Sequence, residues 1–346
     1  MLLVLIVAIA IWWIGGRMGW PPQARVILLG LLYVTVLALT VFPNPLRPAL
    51  GGSTGEWLVA GGIGALILGY RAGLKRLRAR VRPENRPEAG ATGTFAPGEL
   101  DRYARHVVLR EIGGTGQKRL KEARILVVGA GGLGSPALLY LAGAGVGTLG
   151  VIDDDVVEAS NLQRQIIHGD ARIGMPKVFS AEAAIRAVNP YVTIRPYQRR
   201  LTRDMAKALI AEYDLVLDGC DDFETRYAVN AACVATGTPL ISGALSQWEG
   251  QVTTFAPAEG TPCYACIFPE APAPGLAPSC AEAGVLGPLP GIVGAMMAAE
   301  AIKELTGAGE GLRGRMAIHD ALYGESRTIT LRRRQDCPVC GGVVAD

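Results

Sequence analysis

Hydrophobic residues follow two different patterns along the chain. In the first quarter, three apolar runs at 2–14, 26–42 and 57–70 are separated by short connections that contain basic residues or proline. A helix that spans a membrane needs about 20 predominantly apolar residues. Trp and Tyr residues stand at the ends of the runs, as they do at membrane interfaces. The pattern predicts a membrane anchor over residues 1–82 with three transmembrane helices.

Charge placement sets the expected orientation of this anchor. Residues 1–90 carry ten Lys or Arg against three acids, with the basic residues concentrated at 71–86. Three spans place both basic regions on one side, as the positive-inside rule favours. We therefore expect a multi-pass protein of the inner (plasma) membrane with a cytoplasmic catalytic domain. A cleaved signal peptide and an interfacial helical hairpin are the alternatives. The rest of the chain is mildly acidic, and we expect no nucleic-acid partner.

Beyond a linker predicted at 83–98, which is rich in Pro, Gly, Glu and Ala, short apolar runs alternate with helical segments. The alternation predicts a Rossmann-like, doubly wound α/β domain over 99–346 with a mostly parallel sheet. The parallel strands are expected at 124–128, 148–152, 192–197, 215–217 and 239–242. Antiparallel strands are expected at 251–255, 316–319 and 328–331, with a helix at 291–305 among them.

A glycine-rich turn follows the first predicted strand and ends at Gly134. Gly129 permits a tight turn, and Gly131 and Gly132 let the backbone approach a phosphate. Gly134 lets the following helix pack closely on its strand. Asp153 stands at the end of the second predicted strand, where an acid accepts hydrogen bonds from ribose hydroxyls. These features alone fit a dinucleotide cofactor as well as ATP.

Polar residues after the second strand favour a triphosphate. The segment consists of Ser160, Asn161, Leu162, Gln163 and Arg164, and Lys177 follows it. A triphosphate needs cations and amides to neutralise its charge and to stabilise the leaving pyrophosphate, whereas a dehydrogenase has no such need. Asp221, with Asp222 beside it, follows the strand at 215–217, where a carboxylate would hold Mg²⁺. A membrane-anchored NAD-dependent oxidoreductase is the rival hypothesis.

Two pairs of cysteines have the spacing of zinc ligands. The pairs are Cys263 with Cys266 and Cys337 with Cys340. Four thiolates suit a structural, tetrahedral Zn²⁺ and leave no open coordination position. Redox-active dithiols or disulfides are the alternative. The remaining candidate is Cys280, in a stretch rich in Pro and Gly, which is either a nucleophile or a residue without a chemical role.

Taken together and in this order, the motifs resemble the MoeB/ThiF/HesA adenylyltransferases, which are related to ubiquitin-activating enzymes, and among them the molybdopterin-synthase adenylyltransferases in particular. The resemblance covers residues from about 99 to 342. The matching segments are 102–105, 129–134, 153–155, 160–165, 176–177, Asp221, 280–288 and the two cysteine pairs. It implies a homodimer with ATP and Mg²⁺ in each subunit and one zinc per subunit.

The implied activity is ATP-dependent adenylylation of the C-terminal glycine of a ubiquitin-like sulfur-carrier protein. The carrier is expected to be MoaD-like, the small subunit of molybdopterin synthase, for molybdenum cofactor biosynthesis. A ThiS-like carrier of thiamine biosynthesis is the alternative. No rhodanese-like domain follows Cys340 in this sequence, so we expect the sulfur donor to be a separate protein. A catalytically silent zinc scaffold that recruits a carrier to the membrane is a third hypothesis.

The resemblance also implies roles for individual residues. Gly132 and Asp153 would contact the nucleotide, and Asn161, Arg164 and Lys177 would hold its phosphates.

Three further roles follow in the same way. Asp221 would be the magnesium-linked acid, Arg105 would reach the phosphates of the neighbouring subunit, and Cys280 would take an acyl group or a sulfur link from the carrier. The chain departs from the family pattern at Asp222, where Asn or Ser is common, and the extra carboxylate is expected to alter metal affinity.

Overall fold

The structure is a computed structural model, and it describes residues 2–18, 20, 22–42, 45, 50–80, 94–273 and 283–342. The chain divides into two compact units, Met1–Asn85 and Arg86–Asp346. Cys280, for which the sequence suggests a nucleophilic role, lies outside the described residues, as does most of the predicted linker.

The first unit contains helices at the three apolar runs. They are α1 (Leu2–Arg17), α2 (Pro22–Val41) and α3 (Thr54–Arg80). Val4, Val36 and Trp57 form a small buried cluster. The Tyr33 hydroxyl donates a hydrogen bond of 2.7 Å to the Trp57 carbonyl oxygen and so joins α2 to α3. A Cβ on Gly61 would overlap the Tyr33 ring, so the close approach of these helices requires glycine there.

The prediction that these helices span a membrane is wrong. Among the described residues, no helix combines the length and the apolar character that a bilayer crossing requires. With 16 residues, α1 is about 24 Å long at 1.5 Å per residue, which is short of the roughly 30 Å hydrocarbon core. Polar Gln23 and Arg25 lie in the first turn of α2, and basic residues fill the last third of α3. The structure therefore does not support the predicted membrane anchor or the multi-pass inner-membrane location. The cytoplasmic placement was derived from that anchor and is not supported either.

The second unit is built on one eight-stranded sheet with the order β3-β2-β1-β4-β5-β6-β7-β8. The first five strands of the chain run parallel, and the last three pair in antiparallel fashion. Their bounds are β1 (Arg124–Val128), β2 (Thr148–Asp153), β3 (Thr193–Gln198), β4 (Leu215–Asp218), β5 (Leu240–Leu245), β6 (Glu249–Phe255), β7 (Arg315–Asp320) and β8 (Glu325–Thr330).

Helices flank this sheet and connect its strands. They are α4 (Glu99–Val107), α5 (Gly113–Glu122), α6 (Gly134–Ala144), α7 (Lys177–Val188), α8 (Arg203–Ile210), α9 (Phe223–Thr236), α10 (Tyr264–Ile267) and α11 (Pro288–Thr306). The predicted alternation of strands and helices is confirmed, and element ends shift by at most three residues. The antiparallel pairing of the C-terminal strands is confirmed as well.

Alternate residues of the central strands face two separate cores. In β1, Ile125 and Val127 pack with α6, α7 and α11 on one face of the sheet. Leu126 and Val128 pack with α8 and α9 on the other face. Because β1 is buried on both sides, its sequence is an unbroken apolar run rather than an alternating one. The sheet is thus a central layer between two layers of helices.

The order of the strands determines where a ligand can bind. The chain builds β1, β2 and β3 outward in one direction and then returns to place β4 on the other side of β1. The loops that leave β1 and β4 therefore diverge to opposite faces, and a crevice opens between them at the carboxyl ends of the strands.

Candidate nucleotide and metal sites

A cleft of about 950 Å³ occupies this crevice. It is lined by the ends of β1, β2 and β5 and by the loops that follow β1, β2, β3 and β4. Several of the predicted site residues lie in its wall, namely Gly129, Gly131, Gly132, Asp153, Arg164, Lys177, Asp221 and Asp222. The fold therefore gathers into one cavity residues that are up to 93 positions apart in the sequence.

The glycine-rich turn forms one wall of the cleft. Gly129 has φ of +92°, in the region that favours glycine. A Cβ on Gly134 would lie 1.9 Å from the Gly129 carbonyl oxygen, so a side chain there would displace the backbone. Gly134 itself is buried in the first turn of α6, outside the cleft wall, and its role is to let the turn close.

Asp153 ends β2 and fixes the loops on either side of the cleft. Its Oδ2 accepts a hydrogen bond of 2.8 Å from the Ala130 backbone N–H, and its Oδ1 accepts one of 2.9 Å from that of Asp155. Burial raises the pKa of Asp153, although the charge of Lys177 and these hydrogen bonds oppose the rise. Each carboxylate oxygen has a second lone pair, which leaves acceptor capacity for a ribose hydroxyl.

Lys177 and Arg164 supply positive charge beside the glycine turn. The Lys177 side chain is 7% exposed, and its Nζ lies 2.6 Å from Oδ2 of Asp155, a side chain that is 65% exposed. Because Asp155 is exposed, the ammonium group can exchange this partner for a phosphate at little cost. A Cβ on Gly132 would lie 3.8 Å from Cδ of Arg164, so the arginine stem packs directly against the turn. Both cations can reach a phosphate bound there.

The rest of the predicted phosphate segment has a different position. Ser160, Asn161, Leu162 and Gln163 do not belong to the described wall of the cleft. Asn161 is buried, and its Oδ1 accepts a hydrogen bond of 3.0 Å from the Glu158 N–H in a capping box of the short 3₁₀ helix Ala159–Asn161. The Ser160 carbonyl accepts a hydrogen bond from Arg164. In this structure these residues shape the loop that presents Arg164.

Asp221 and Asp222 are neighbours with different environments. Asp221 is exposed in the cleft wall. Asp222 caps α9 by accepting hydrogen bonds from the N–H groups of Glu224 and Thr225, and its Oδ2 lies 2.7 Å from a guanidinium nitrogen of Arg200. Burial alone would raise the pKa of Asp222, but the contacts with Thr225 and Arg200 outweigh burial and lower it. The second carboxylate is therefore engaged by the protein, and only Asp221 is open to a cation.

A buried ion pair lies beneath Asp221. Asp218, at the end of β4, is 1% exposed and contacts Arg226 of α9, which is 6% exposed. Arg226 also donates hydrogen bonds to Ser242 Oγ, to the Gly243 carbonyl and to the Cys220 carbonyl. It thereby ties the loop that carries Asp221 to the ends of β4 and β5. Burial and the negative charge of Asp218 raise the pKa of the Cys220 thiol, so this cysteine is not a reactive thiolate.

Arg200 and Arg226 are among the wall residues that reasoning from the sequence missed. Gln165 also lines the cleft; it ends the matched segment 160–165, but reasoning from the sequence assigned it no individual role. Arg226 lies four residues after Asp222 on one turn of α9, a spacing that places it near the strand ends. Nothing in the sequence around Arg200 marks it as a partner of Asp222.

Arg105 is not in the cleft of its own chain. It lies on α4 with its side chain exposed, and it is outside the described wall of the cleft. Tyr103 and Glu99 anchor the buried side of this helix, where Glu99 is 2.6 Å from Lys121 Nζ. A rigid helix therefore presents Arg105 outward.

The four paired cysteines form one buried cluster. Their Sγ atoms all lie within 4.8 Å of one another, and the measured pairs are 3.9 Å (Cys263 to Cys266), 3.7 Å (Cys263 to Cys337) and 3.4 Å (Cys266 to Cys340). A tetrahedral Zn²⁺ with Zn–S bonds of about 2.3 Å requires S–S separations of about 3.8 Å. The cluster fits this ion, and the separations are far longer than the roughly 2.0 Å of a disulfide bond.

The surroundings of the cysteine thiols also support a zinc site. Nδ2 of Asn230 on α9 lies 3.8 Å from Cys263 Sγ, and Oδ1 of the same residue accepts a hydrogen bond from the Tyr264 N–H. Burial alone would raise the pKa of the Cys337 thiol. Hydrogen bonds from the Val339 and Cys340 backbone and from neighbouring thiols outweigh burial, and the net result is a pKa lowered to about 7. Metal binding needs thiolates, which this environment favours at that ligand.

Comparison with known proteins agrees with this geometry. Residues 103–339 match the model of the ThiF family. The chain is 51% identical over 243 residues to the SAMP-activating enzyme E1 of Haloferax volcanii, covering 70% of this chain and 89% of that protein. It is 50% identical over 247 residues to the sulfur carrier protein adenylyltransferase of Thermus thermophilus, covering 70% of this chain and 91% of that protein.

A solved structure shares the fold. The crystal structure of E. coli MccB with ATP superposes with a TM-score of 0.61 over 70% of this chain and 75% of that chain, at 22% sequence identity. Identity at this level speaks to the fold alone. The family model covers more than half of the chain, and the two relatives are far more similar than 30%. The chain therefore belongs to the ThiF family and is an adenylyltransferase.

Proposed function

We propose that this protein uses ATP and Mg²⁺ to adenylylate the C-terminal glycine of a ubiquitin-like sulfur-carrier protein. The observation that carries the proposal is the position of Lys177, Arg164 and Asp221 around the glycine-rich turn in one cleft. Two cations and a free carboxylate beside a phosphate-binding turn fit a magnesium triphosphate. The relatives' names, which refer to SAMP activation and to a sulfur carrier protein, support a small carrier as the second substrate.

The proposed reaction is a displacement at the α-phosphorus of ATP. A carboxylate oxygen of the carrier's terminal glycine forms the new P–O bond, the bond to the bridging oxygen of the β-phosphate breaks, and pyrophosphate leaves with that electron pair. The product is an acyl-adenylate. The chain contributes positioning and charge stabilisation rather than covalent chemistry.

Each charged group has a distinct part in this step. Lys177, released from Asp155, and Arg164 would stabilise the charge that accumulates on the leaving pyrophosphate. Asp221 would hold Mg²⁺, which neutralises phosphate oxygens when bound. Among the predicted site residues, Asp221 is the carboxylate that would hold this ion. Asp153 would orient the ribose.

For the carrier we propose a MoaD-like protein in molybdenum cofactor biosynthesis, with a ThiS-like protein as the alternative. We further propose that the enzyme is a homodimer in which Arg105 reaches the cleft of the partner subunit. The exposed position of Arg105 on an anchored helix, outside its own cleft, supports an action in trans. Sulfur would come from a separate donor, and the buried cysteine cluster would hold Zn²⁺ as a structural ion.

The decisive experiment is ATP–pyrophosphate exchange by the purified protein with each candidate carrier. Asp221→Ala should lose nearly all exchange, whereas Asp170→Ala, a matched loss of an exposed carboxylate outside the cleft, should leave it unchanged. Exchange that persists in Asp221→Ala would refute the assigned role. Absence of exchange with both carriers in the wild type would refute the proposed function.

A nucleotide-protection experiment tests the oxidoreductase alternative. ATP with Mg²⁺ should protect the loops of the cleft from proteolysis or hydrogen exchange, and NAD should not, because Arg164 and Lys177 fit a triphosphate. Protection by NAD alone would favour the oxidoreductase.

A further inference from the structure

We propose that His168 is a positioning residue of the nucleotide site, which aims the backbone amides of the glycine-rich turn at the bound phosphates. The inference rests on the proposed function only for the identity of the nucleotide. His168 does not touch the cleft, and it acts through Ala130, the second residue of the turn. His168 is 7% exposed, and each of its two ring nitrogens has a partner.

The geometry clamps Ala130 from both ends. Its carbonyl oxygen lies 2.9 Å from His168 Nε2, and its N–H donates to Asp153 Oδ2 at 2.8 Å. In a trans peptide the carbonyl and the following N–H point in opposite directions. Holding the Ala130 carbonyl toward the buried imidazole therefore directs the Gly131 N–H the other way. Gly131 lines the cleft, and within the described residues no backbone acceptor pairs with its N–H. An oriented, unpaired amide of this kind is a phosphate ligand.

Hydrogen-bond chemistry fixes the tautomer of the imidazole. The Ala130 carbonyl can only accept, so Nε2 of His168 carries the proton. Nδ1 then accepts from the Ser180 hydroxyl at 2.9 Å. Burial lowers the pKa of His168 to about 4, which keeps this neutral form at physiological pH.

Ser180 connects the clamp to α7, the helix that begins at Lys177. It is completely buried on α7, three residues after Lys177. The chain of contacts therefore runs from α7 through Ser180 and His168 to the glycine turn. It keeps the turn and the helix that carries the phosphate-binding lysine in a fixed relation, and this is the preorganisation that charge stabilisation requires.

The test compares affinity for ATP with affinity for adenosine by calorimetry on the full chain. His168→Phe keeps the ring volume but removes the N–H donor, and it should weaken ATP binding by about tenfold or more while adenosine binding stays within about twofold. His168→Gln, whose amide can place an N–H near the position of Nε2, should recover most of the loss. His319→Phe is the matched control. His319 also makes an imidazole–hydroxyl contact, of 2.9 Å with Ser326, but this contact is exposed and neither residue belongs to the described wall of the cleft.

Ser180→Ala provides a second, milder variant in case His168→Phe does not fold. It should reduce the ratio of ATP to adenosine affinity in the same direction by a smaller factor. Equal losses of ATP and adenosine affinity, or an unchanged ratio in both variants, would overturn the inference. ATP binding without pyrophosphate exchange in the wild type would overturn the proposed function but leave the clamp supported by its affinity ratio. A wild type that binds no ATP would overturn both.

Discussion

At the residue scale, the paired acids after β4 show how neighbours with the same side chain acquire different chemistry. The Asp222 carboxylate already has partners in the first turn of α9 and in Arg200, whereas the Asp221 carboxylate is open to the cleft. The expectation that the extra carboxylate changes metal affinity stays a prediction, and in the structure this carboxylate caps α9 and pairs with Arg200. The two residues differ because α9 begins directly after Asp222, which makes Asp222 and not Asp221 the N-cap of the helix.

This difference predicts opposite outcomes for two conservative variants. Asp222→Asn retains a side-chain oxygen that can cap α9, so it should keep pyrophosphate exchange and lose at most about 1 kcal/mol of stability, mainly through the ion pair with Arg200. Asp221→Asn should lose most exchange and its dependence on Mg²⁺ concentration. Magnesium titrations of exchange and urea unfolding of both variants provide the measurement. A greater loss of magnesium dependence in Asp222→Asn would reverse the assignment.

The neutral imidazole of His168 predicts a pH dependence of stability. Its pKa is lowered to about 4 in the folded protein, against about 6.5 in an unfolded chain, so the unfolded state binds the proton first as pH falls. The contribution of His168 is therefore fully present above pH 6.5 and is lost between pH 6.5 and 4, amounting to at most about 3 kcal/mol. The free energy of unfolding of the wild type should fall more steeply across this window than that of His168→Gln. Parallel curves would contradict the prediction.

At the element scale, two glycines of α6 make a matched pair. A Cβ on Gly134 would meet the Gly129 carbonyl oxygen, whereas a Cβ on Gly143 would have no neighbour within 4 Å. Gly134→Ala should lose more than about 2 kcal/mol of stability together with nucleotide binding, because the backbone of the turn must move. Gly143→Ala should be neutral or gain up to about 1 kcal/mol from helix propensity. Thermal unfolding and ATP calorimetry of the two proteins test this, and equal behaviour would show that the turn can relax.

The cysteine cluster is the second feature at this scale. It links the segment after β6 to the segment after β8, with Cys263 and Cys337 separated by 74 positions. We expect one zinc per chain by elemental analysis. Removing it with a chelator, or by Cys266→Ser, should lower the melting temperature by roughly 5–15 °C, because a structural metal contributes several kcal/mol.

Cys233→Ala is the control for this experiment. Cys233 is a buried thiol of the core outside the cluster, so its variant should retain the zinc. A full complement of zinc in Cys266→Ser would exclude the proposed ligand set.

At the scale of the whole molecule, the proposed action of Arg105 in the partner's cleft can be tested by mixing inactive variants. Arg105→Ala and Asp221→Asn should each be inactive alone. In a mixed dimer, one cleft has its own Asp221 and receives Arg105 from the other subunit, so random mixing should restore about one quarter of the wild-type exchange rate. Size-exclusion chromatography establishes the oligomeric state. A mixture that remains inactive although mixed dimers form would place Arg105 outside the site.

Patterns along the chain were sufficient for much of the fold. The unbroken apolar run of β1 and its glycine turn predicted a buried parallel strand followed by a helix, and both were found, because periodicity and turn chemistry are local properties. The same local reasoning failed for the first quarter of the chain. Apolar runs marked the helices correctly, but spanning a bilayer also depends on helix length and on the polar residues that each helix includes, and no described helix qualifies.

By itself, the sequence determined the family of the chain, its alternating architecture and the residue types of the candidate nucleotide and metal sites, since motifs record which side chains are present and at what spacing. The contacts that each of these side chains makes were visible only in the tertiary structure. It placed Asn161 in a cap, engaged Asp222 with Arg200 and buried Arg226 beneath the cleft. The cap of Asn161 and the Asp218–Arg226 pair depend on where a loop turns and where α9 begins, whereas the Asp222–Arg200 pair joins the segments after β4 and β3. The proximity of those two segments depends on the order of the strands in the sheet, and strand order is a property of the packed fold that local patterns do not encode.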